Sequence, residues 1–513
     1  MDPKDPSASA PPAPPEGGVG MVFEAPPIVP PDDTVVIPPP AAVPAAEQAS
    51  PQQQNPFIPD VQMASSVGTP PASSGGTPWL RRLLIIGVAV LVLAGVSFGI
   101  WTAVQKTATP AHVTINYWGL WENDSVTRQF IAEFEKENPN ITVQYTQESP
   151  KQYRERLQSA INRGEGPDVF RFHNTWVPML RMQLAMVPPG VMTPAEFSST
   201  FFPVASSNLV AGNNIFGIPI MIDGLGLYIN DDLFAAAGVS PPATWTDVAN
   251  IVPKLTVRNG TTIVTSAIAL GTATNVEHFS DILGLLFLQN GADLTNLTGK
   301  DAEQTLTFYR SFADPSSPMY TWSDAMDNSV SAFAAGKVAM ILAPSWRAHE
   351  IAQTSPKLRF HIVPVPQLQG NTVAWASYWV EGVSSQSKNK QAAWEFMKFL
   401  TSKDGVNRLY SEESKTRLFG EPFARVDLAN TIKDDPYTGA YVKQASYARS
   451  FPIASRTYDN GLNDRLIQYL TDAVNGMAGG ASPTQVLQTV SAGFRQVLSS
   501  YGLMSAAQTT PAP

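Results

Sequence analysis

An apolar run of 22 residues, Leu83 to Val104, carries no charged side chain and divides the chain into two parts of different composition. A helix of about 20 apolar residues crosses the hydrocarbon core of a bilayer, because every backbone N–H and C=O is then hydrogen-bonded inside the segment. Arg81 and Arg82 precede the run and only Lys106 follows closely, which favours a cytoplasmic N-terminus. We therefore predict a single-pass membrane helix over 79–105, with the larger C-terminal part outside the cell.

Three other interpretations of this run are less favoured. A cleaved secretory signal is shorter and lies near the N-terminus, whereas 82 residues precede this run. A lipid-anchored signal needs a cysteine at its cleavage point, and the chain has no cysteine. A buried helix of a globular domain normally shows a polar stripe, which this run lacks. An uncleaved anchor in the cell membrane is therefore the preferred interpretation.

The segment before the run is rich in proline and acidic. Residues 1–78 hold 20 of the 45 prolines, with one Lys against eight Asp and Glu. Such a segment cannot bury enough apolar surface to offset the entropy lost on ordering, so a disordered cytoplasmic tail is predicted. Its short apolar patches fit a docking role and a passive role equally well. A linker is predicted at 106–111 and a second disordered tail at 506–513.

The composition of the remaining chain excludes several classes of function. Of the net charge of −9, the first 82 residues carry −5, so about −4 is left for the rest and no basic patch for nucleic acid is expected. The absence of cysteine excludes disulfides, thiolate metal sites and cysteine nucleophiles. The five histidines lack the spacing of metal ligands, and no metal or other cofactor is predicted. The length suits two domains better than one.

From residue 113 onward, short β-rich runs alternate with segments of helical periodicity. Strands are predicted at 113–118, 141–145 and 168–172. Helices are predicted to begin near Val126, capped by Asp124 or Ser125, and near Tyr153. A β-α-β-α-β order with short connections indicates a parallel sheet covered by helices.

Two loops of this predicted sheet combine indole rings with hydrogen-bonding groups. Ligands of such sheets bind beyond the carboxyl ends of the strands. Indole faces stack on sugar rings and polar groups pair with hydroxyls, so these loops form a candidate sugar site, although one Trp at a strand end is as often part of the core. The candidates after the first and third strands are Trp118, Trp121, Glu122, His173, Asn174 and Trp176.

Six further stretches occur in a characteristic order along the chain. They are INYWGLWE (115–122), EFEKENPNITV (133–143), GEGPDVF (164–170), GIPIMIDGLGLYINDDLF (217–234), FAAGKVAMILAPSW (333–346) and GVSSQSKNKQAAWEFMKFLTS (382–402). In this order, 112–505 resembles the extracellular solute-binding proteins of ABC importers, of the maltose-binding-like, carbohydrate type. The resemblance implies a two-lobed α/β fold of the periplasmic-binding-protein type (type II) that closes on its ligand without performing chemistry. It also implies two partners, a carbohydrate and the membrane subunits of an ABC transporter.

The resemblance also divides the chain between the lobes. It assigns 112–222 plus 330–380 to lobe 1 and 223–329 plus 381–505 to lobe 2. Residues 218–222 are expected to cross between the lobes, and the strand at 338–343 is expected to return to lobe 1.

The resemblance adds further cleft residues. Asp223 is expected to accept a hydroxyl, although Asp before Gly also forms turns. Asn275, Glu277 and His278 are interpreted slightly more readily as polar residues at a helix start than as ligand contacts. The further ligand contacts that the resemblance implies are Asp223, Ser345, Trp346, Tyr378, Trp379 and Tyr458.

Two other functions remain open at this point. A membrane-bound glycoside-cleaving enzyme needs two carboxyls at hydrolytic spacing, for which Glu122, Asp223 and Glu381 are the candidates. A sugar receptor would signal through the cytoplasmic tail. We predict a binding protein without enzymatic activity.

Overall fold

In the computed structural model of the chain, residues 78–107 and 112–504 are described. The chain divides into two units, Met1–Phe98 and Gly99–Pro513. The tails predicted at 1–78 and 506–513, apart from Pro78, and most of the predicted linker lie outside the described residues. The apolar run forms helix α1, Pro78–Thr107. Within the described ranges, no helix combines the length and the apolar character needed to cross a membrane.

The part of the chain from residue 112 to 504 alternates short strands and helices, as the sequence predicts. Its strands are β1 Val113–Gly119, β2 Ile141–Gln147, β3 Val169–His173, β4 Leu184–Ala185, β5 Val210–Ala211, β6 Asn214–Ile215, β7 Gly226–Asn230, β8 Val257–Asn259, β9 Thr262–Ile268, β10 Val338–Ala343, β11 Phe360–Val363, β12 Ala374–Trp375, β13 Trp379–Ser384 and β14 Ala448–Arg449. Its α-helices are α2 Asp124–Glu137, α3 Tyr153–Asn162, α4 Val177–Leu180, α5 Pro194–Thr200, α6 Pro203–Leu209, α7 Asp231–Ala237, α8 Trp245–Leu255, α9 Phe279–Gln289, α10 Lys300–Ser311, α11 Ser329–Ala334, α12 Arg347–Thr354, α13 Lys390–Thr401, α14 Lys403–Glu413, α15 Val426–Ala429, α16 Gly439–Gln444, α17 Leu462–Ala478 and α18 Pro483–Ser500.

The first sheet has the strand order β2-β1-β3-β13-β4. Strand β1 pairs in parallel with β2 and with β3, which confirms the predicted β-α-β-α-β unit. Helix α2 begins at Asp124, two positions before the predicted Val126, because the cap is Asn123 rather than Asp124 or Ser125. The Asn123 side chain accepts hydrogen bonds from the backbone N–H groups of Ser125 at 3.0 Å and Val126 at 3.3 Å. The carboxyl ends of β1 and β3 therefore meet at one edge, as expected.

The second sheet has the order β11-β7-β10-β9-β8. Strand β10 pairs antiparallel with β7 and parallel with β9. The assignment of 338–343 to lobe 1 is therefore wrong, because these residues lie in the middle of the second sheet. A fully apolar strand such as β10 fits the centre of either sheet, and its sequence does not choose between them.

A second predicted lobe boundary is also wrong, because the helices directly after β13 were assigned to lobe 2 but pack with lobe 1. Strand β13 belongs to the first sheet, and α13 packs against it and against β1. The Phe396 ring of α13 lies 5.1 Å from the Phe134 ring and 5.6 Å from the Tyr117 ring, measured between centroids. Residues 381–413 therefore share the core of the first lobe rather than that of the second.

Two chain segments cross between the sheets side by side. Antiparallel bridges join Ile218 to Glu381 and Gly224 to Ala376, so 218–224 runs against 376–381. A Cβ atom on Gly224 would lie 1.8 Å from the carbonyl oxygen of Trp375. Glycine is needed here because the two backbones approach closely.

Candidate ligand-binding cleft

A cavity of about 530 Å³ is lined by loops at the strand ends of both sheets. This volume is within the range of small-molecule sites. Six of the twelve predicted site residues line it: Trp121, His173, Asp223, Trp346, Trp379 and Tyr458.

Residues of the first sheet form one side, which we call the aromatic wall and define as Trp121, His173 and Trp379. The Trp379 ring meets the Trp121 ring edge to face, with centroids 5.5 Å apart, and it meets the His173 ring in the same way at 5.1 Å. Trp121 is 38% exposed, so its ring offers apolar surface to a ligand. Burial lowers the pKa of His173 to about 3, so its imidazole is neutral at physiological pH. Its Nε2 shares a hydrogen bond with the Ser377 hydroxyl at 3.1 Å.

Residues near the second sheet form the opposite side, which we call the charged wall and define as Glu277, His278, Trp346, Arg347 and Glu350. The guanidinium of Arg347 pairs with the carboxylates of Glu277 and Glu350. Its Cζ lies 4.0 Å from the centroid of the Trp346 ring. Stacking and pairing hold the guanidinium in one orientation, so its donors have fixed positions along the cavity.

Asp223 lies buried at the crossing between the sheets and also lines the cavity. Its carboxylate accepts hydrogen bonds from the backbone N–H of Gly224 at 2.8 Å and from the N–H and hydroxyl of Ser345 at 3.0 and 2.9 Å. Burial raises the pKa of Asp223 to about 7, although these hydrogen bonds oppose the shift. The carboxyl thus joins the turn after 218–222 to the loop after β10.

The other six predicted site residues do not line this cavity. Trp118 belongs to β1, which continues through Gly119, and its side chain packs partly buried against the core. Trp176 is fully buried, and its ring centroid lies 5.3 Å from that of Trp379, so it supports the aromatic wall from behind. Ser345 is buried against Asp223. These three placements correct the expectation of direct ligand contact.

Glu122, Asn174 and Tyr378 complete this correction. The Glu122 carboxylate is buried and lies 2.6 Å from a guanidinium nitrogen of Arg171. Asn174 donates to Asn208 Oδ1 at 3.0 Å and lines a separate cavity of about 310 Å³. The Tyr378 hydroxyl donates to the same Asn208 oxygen at 3.0 Å. Each of these side chains is oriented by a partner that is distant in sequence. A position at the end of a strand does not indicate that partner, so the sequence could not predict the orientation.

A buried ion-pair network lies behind the aromatic wall. Arg171 contacts Glu122 at 2.6 Å and Glu381 at 2.7 Å, and all three side chains are at most 3% exposed. Nearby, Arg417 contacts Glu413 at 2.7 Å and Glu421 at 3.0 Å.

Glu122, Glu413 and Glu421 offer carboxylate oxygens within 4.8 Å of one another, the arrangement among the described residues closest to a metal site. Arg171 and Arg417 already balance part of their charge, and burial raises the pKa of Glu413 to about 8, which favours its neutral form. A bound cation is therefore not required to explain the cluster.

Several cavity residues were missed by sequence reasoning. Arg347 directly follows Trp346, which was predicted to contact the ligand. That adjacency was the one feature of the sequence that could have identified Arg347 as a cavity residue. Glu277 and His278 were weighed as helix-start residues, yet both line the cavity. Arg417, Glu421 and Arg456 also line it, and no sequence pattern singled them out.

Comparisons with known proteins identify the family of this chain. Residues 118–407 match the family described as bacterial extracellular solute-binding protein. A putative binding protein of Brucella abortus is 26% identical over 279 residues, 53% of this chain and 67% of that protein. The multiple sugar-binding protein of Streptococcus mutans is 21% identical over 349 residues, 65% of this chain and 81% of that protein.

A solved structure shares the fold. The maltose-binding periplasmic protein of Listeria monocytogenes, in complex with maltose, matches with a TM-score of 0.61 and 19% identity, covering 75% of this chain and 98% of that one. The two-lobed α/β fold of solute-binding proteins is thus common to both. With the family match spanning more than half of its length, the chain belongs to the bacterial extracellular solute-binding protein family.

Proposed function

We propose that this protein binds a mono- or oligosaccharide in the cavity between the aromatic and charged walls and delivers it to an ABC importer. The single observation that carries the proposal is the pairing of two surfaces across one cavity. Trp121 and Trp379 present apolar ring surface, while Glu277 and Arg347 present donors and acceptors in fixed positions. A sugar ring needs both, because its C–H face is apolar and its buried hydroxyls must be hydrogen-bonded.

The names of relatives support a sugar rather than another solute. The Streptococcus mutans relative is described as a multiple sugar-binding protein, and the Listeria monocytogenes structure contains maltose. These ligands belong to those proteins, so the specific saccharide of this chain is left to experiment.

The acids considered for hydrolysis favour binding over catalysis. Glu122 and Glu381 are both buried against Arg171, and of the three candidate acids only Asp223 lines the cavity. The other glutamates in the lining, Glu277, Glu350 and Glu421, are each paired with an arginine. Retaining and inverting glycosidases need two carboxyls flanking the scissile bond. We therefore propose that the ligand leaves the cleft unchanged.

A thermal melt against a saccharide panel tests the proposal. A ligand at 100 times its Kd raises the free energy of unfolding by about 2.7 kcal/mol through mass action. Maltose, maltotriose, mannotriose and glucose would be tested with wild type and with Trp379→Ala, which removes part of the stacking surface. We expect a shift with at least one sugar for wild type and a smaller shift for the variant. No shift with any sugar, or release of a cleaved product, would contradict the proposal.

We also propose that the binding part is tethered to the cell membrane, with the N-terminus in the cytoplasm. The support is the uncharged run Leu83–Val104 and the two arginines before it. Tethering raises the local concentration of the binding part near an importer in the same membrane. Carbonate extraction of cell membranes followed by protease treatment of intact cells tests this. A chain released by carbonate, or a binding part shielded from external protease, would contradict it.

A further inference from the structure

Unusual backbone conformations are concentrated in two segments beside the cavity. Among the described residues, the non-glycine residues with positive φ are Gln152, Arg456, Tyr458 and Asn460, with φ of 56°, 62°, 50° and 43°. L-residues adopt this left-handed region at a cost in free energy, and such residues cluster at sites where surrounding contacts hold them in place. Gln152 precedes helix α3, and the other three lie in 455–460, which we call the cleft loop.

The cleft loop contributes much of the cavity lining. Ser455, Arg456, Thr457 and Tyr458 all face the cavity. The guanidinium of Arg456 pairs with the Glu277 carboxylate and donates to the Tyr458 hydroxyl at 2.9 Å. The hydroxyl of Thr457 is buried and has no hydrogen-bond partner within the described part of the chain. The conformation of this loop therefore determines where three polar groups meet a ligand.

One end of the cleft loop is fixed to the start of helix α9. The backbone N–H of Ser455 donates to Asp281 Oδ2 at 2.9 Å, and the Ser455 hydroxyl shares a hydrogen bond with His278 Nδ1 at 2.7 Å. These contacts place Ser455 and Arg456 but do not reach the strained residues beyond Thr457.

The other end is joined to the start of α17, where the Asp459 carboxylate accepts hydrogen bonds from the backbone N–H groups of Gly461 at 2.9 Å and Asn463 at 3.0 Å. From the first lobe, one arginine holds the backbone of this end. Arg154 of α3 donates from Nε to the backbone carbonyl of Asp459 at 2.6 Å. Its remaining donors contact Gln158 at 2.9 Å and Glu155 at 3.1 Å, and its side chain is only 13% exposed. The guanidinium is thus fixed by its own helix before it reaches the loop, and a charged donor makes a stronger bond to a carbonyl than a neutral one.

We propose that Arg154 is a positioning residue that holds the strained cleft loop so that Thr457 and Tyr458 face the ligand. This inference rests on the proposed function, because it assigns Arg154 to the same site. Arg154 does not itself line the cavity. It connects the helix that follows β2 to a loop whose other end is tied to α9, and so links ligand contacts to both lobes.

Helix α3 contains a matched control, Arg156, two residues after Arg154. Arg156 contacts Glu148 at 3.0 Å and the carbonyl of Ser149 at 2.8 Å, all within its own neighbourhood. Arg154→Gln and Arg156→Gln remove the same charge from the same helix, but only the first removes the contact with the cleft loop. Arg154→Lys is the conservative variant, since an ammonium can still donate to one carbonyl.

Two measurements on the full-length chain in mild detergent test the proposal. The first is the Kd for the panel sugar that stabilises wild type most, with the melting temperature of the sugar-free protein recorded beside it. We expect about tenfold weaker binding for Arg154→Gln, a smaller loss for Arg154→Lys and no more than twofold for Arg156→Gln, with similar sugar-free melting temperatures. Binding by Arg154→Gln equal to that of Arg156→Gln would overturn the proposal, as would a loss that merely follows a lowered melting temperature.

The second measurement does not depend on a sugar. Backbone amide hydrogen exchange of 455–461 should be faster in Arg154→Gln than in wild type and Arg156→Gln, because the loop loses its tie to α3. Unchanged exchange there would overturn the positioning role. If wild type binds no panel sugar, the proposed function fails, and hydrogen exchange alone decides whether Arg154 positions the loop.

Discussion

The two walls of the cavity use arginine–glutamate pairs in different ways. Behind the aromatic wall, Arg171 lies between Glu122 and Glu381 with all three side chains nearly inaccessible to water. In the charged wall, Arg347 pairs with the buried Glu277 and with Glu350, whose side chain is 52% exposed. The same type of ion pair is therefore enclosed in the protein behind one wall and lines the cavity in the other. Access to the cavity, rather than residue type, separates the two roles.

The largest expected effect is that of breaking the inaccessible network. Arg171→Met leaves two buried carboxylates without their partner, which should lower the free energy of unfolding by about 3–5 kcal/mol. Urea unfolding measures this change. Arg163→Gln is the control, because Arg163 and Glu165 are exposed and their pair should contribute less than about 1 kcal/mol. Equal losses from the two variants would remove the distinction between the walls.

The next effect concerns pH and Asp223, which lies between the walls. Burial raises the pKa of the Asp223 carboxyl to about 7 in the folded state. In the unfolded state the carboxyl has its ordinary pKa of 3.8, so the unfolded chain loses this proton at a much lower pH. The resulting stability is complete below about pH 4 and is lost as pH rises through 7. Relative to Asp223→Asn, which does not titrate, wild type should lose roughly 4 kcal/mol between pH 4 and pH 8. A constant difference across this range would contradict the shift.

A smaller effect on binding distinguishes the two indole positions. Trp379→Ala should weaken sugar binding by about 2 kcal/mol, because a central aromatic contact is lost. Trp346→Ala should cost less, since the Arg347 guanidinium already stacks on the Trp346 ring at 4.0 Å. Isothermal titration of both variants with the same sugar measures the difference. A larger loss for Trp346→Ala would make the charged wall the main stacking surface.

The smallest effect is expected in the charged wall itself. Arg347→Met should weaken sugar binding by about 1–1.5 kcal/mol through a lost charged hydrogen bond. Its cost in stability should be well below that of Arg171→Met, because Glu277 keeps its pair with Arg456. Titration and urea unfolding of the same sample measure both quantities, with Glu350→Gln as the exposed control. A stability loss as large as that of Arg171→Met would show that both networks are structural.

The strands and helices around the first sheet were predictable because their signals are local. Val113–Gly119 and Ile141–Gln147 show β-rich composition, and the intervening helix shows helical periodicity. Of the candidates at the carboxyl ends of β1 and β3, Trp121 and His173 line the cavity.

The finer assignments depended on contacts distant in sequence. Trp121 and Trp118 are three residues apart in one aromatic stretch, yet Trp121 lines the cavity and Trp118 packs against the core. The choice depends on where β1 ends, and local pattern defines strand ends poorly. Arg171 occupies the middle of a strand, and nothing in its neighbours indicates the two glutamates that it contacts.

The sequence by itself determined the alternation of strands and helices, the family resemblance and the presence of indoles at strand ends, because periodicity and composition act over a few residues. Only the tertiary structure decided which sheet contains Val338–Ala343, which indoles face the cavity, and which glutamates neutralise Arg171 and Arg347. Strand pairing and ion pairing join residues far apart in the chain. Their choice follows from the packing of whole lobes, which no short segment encodes.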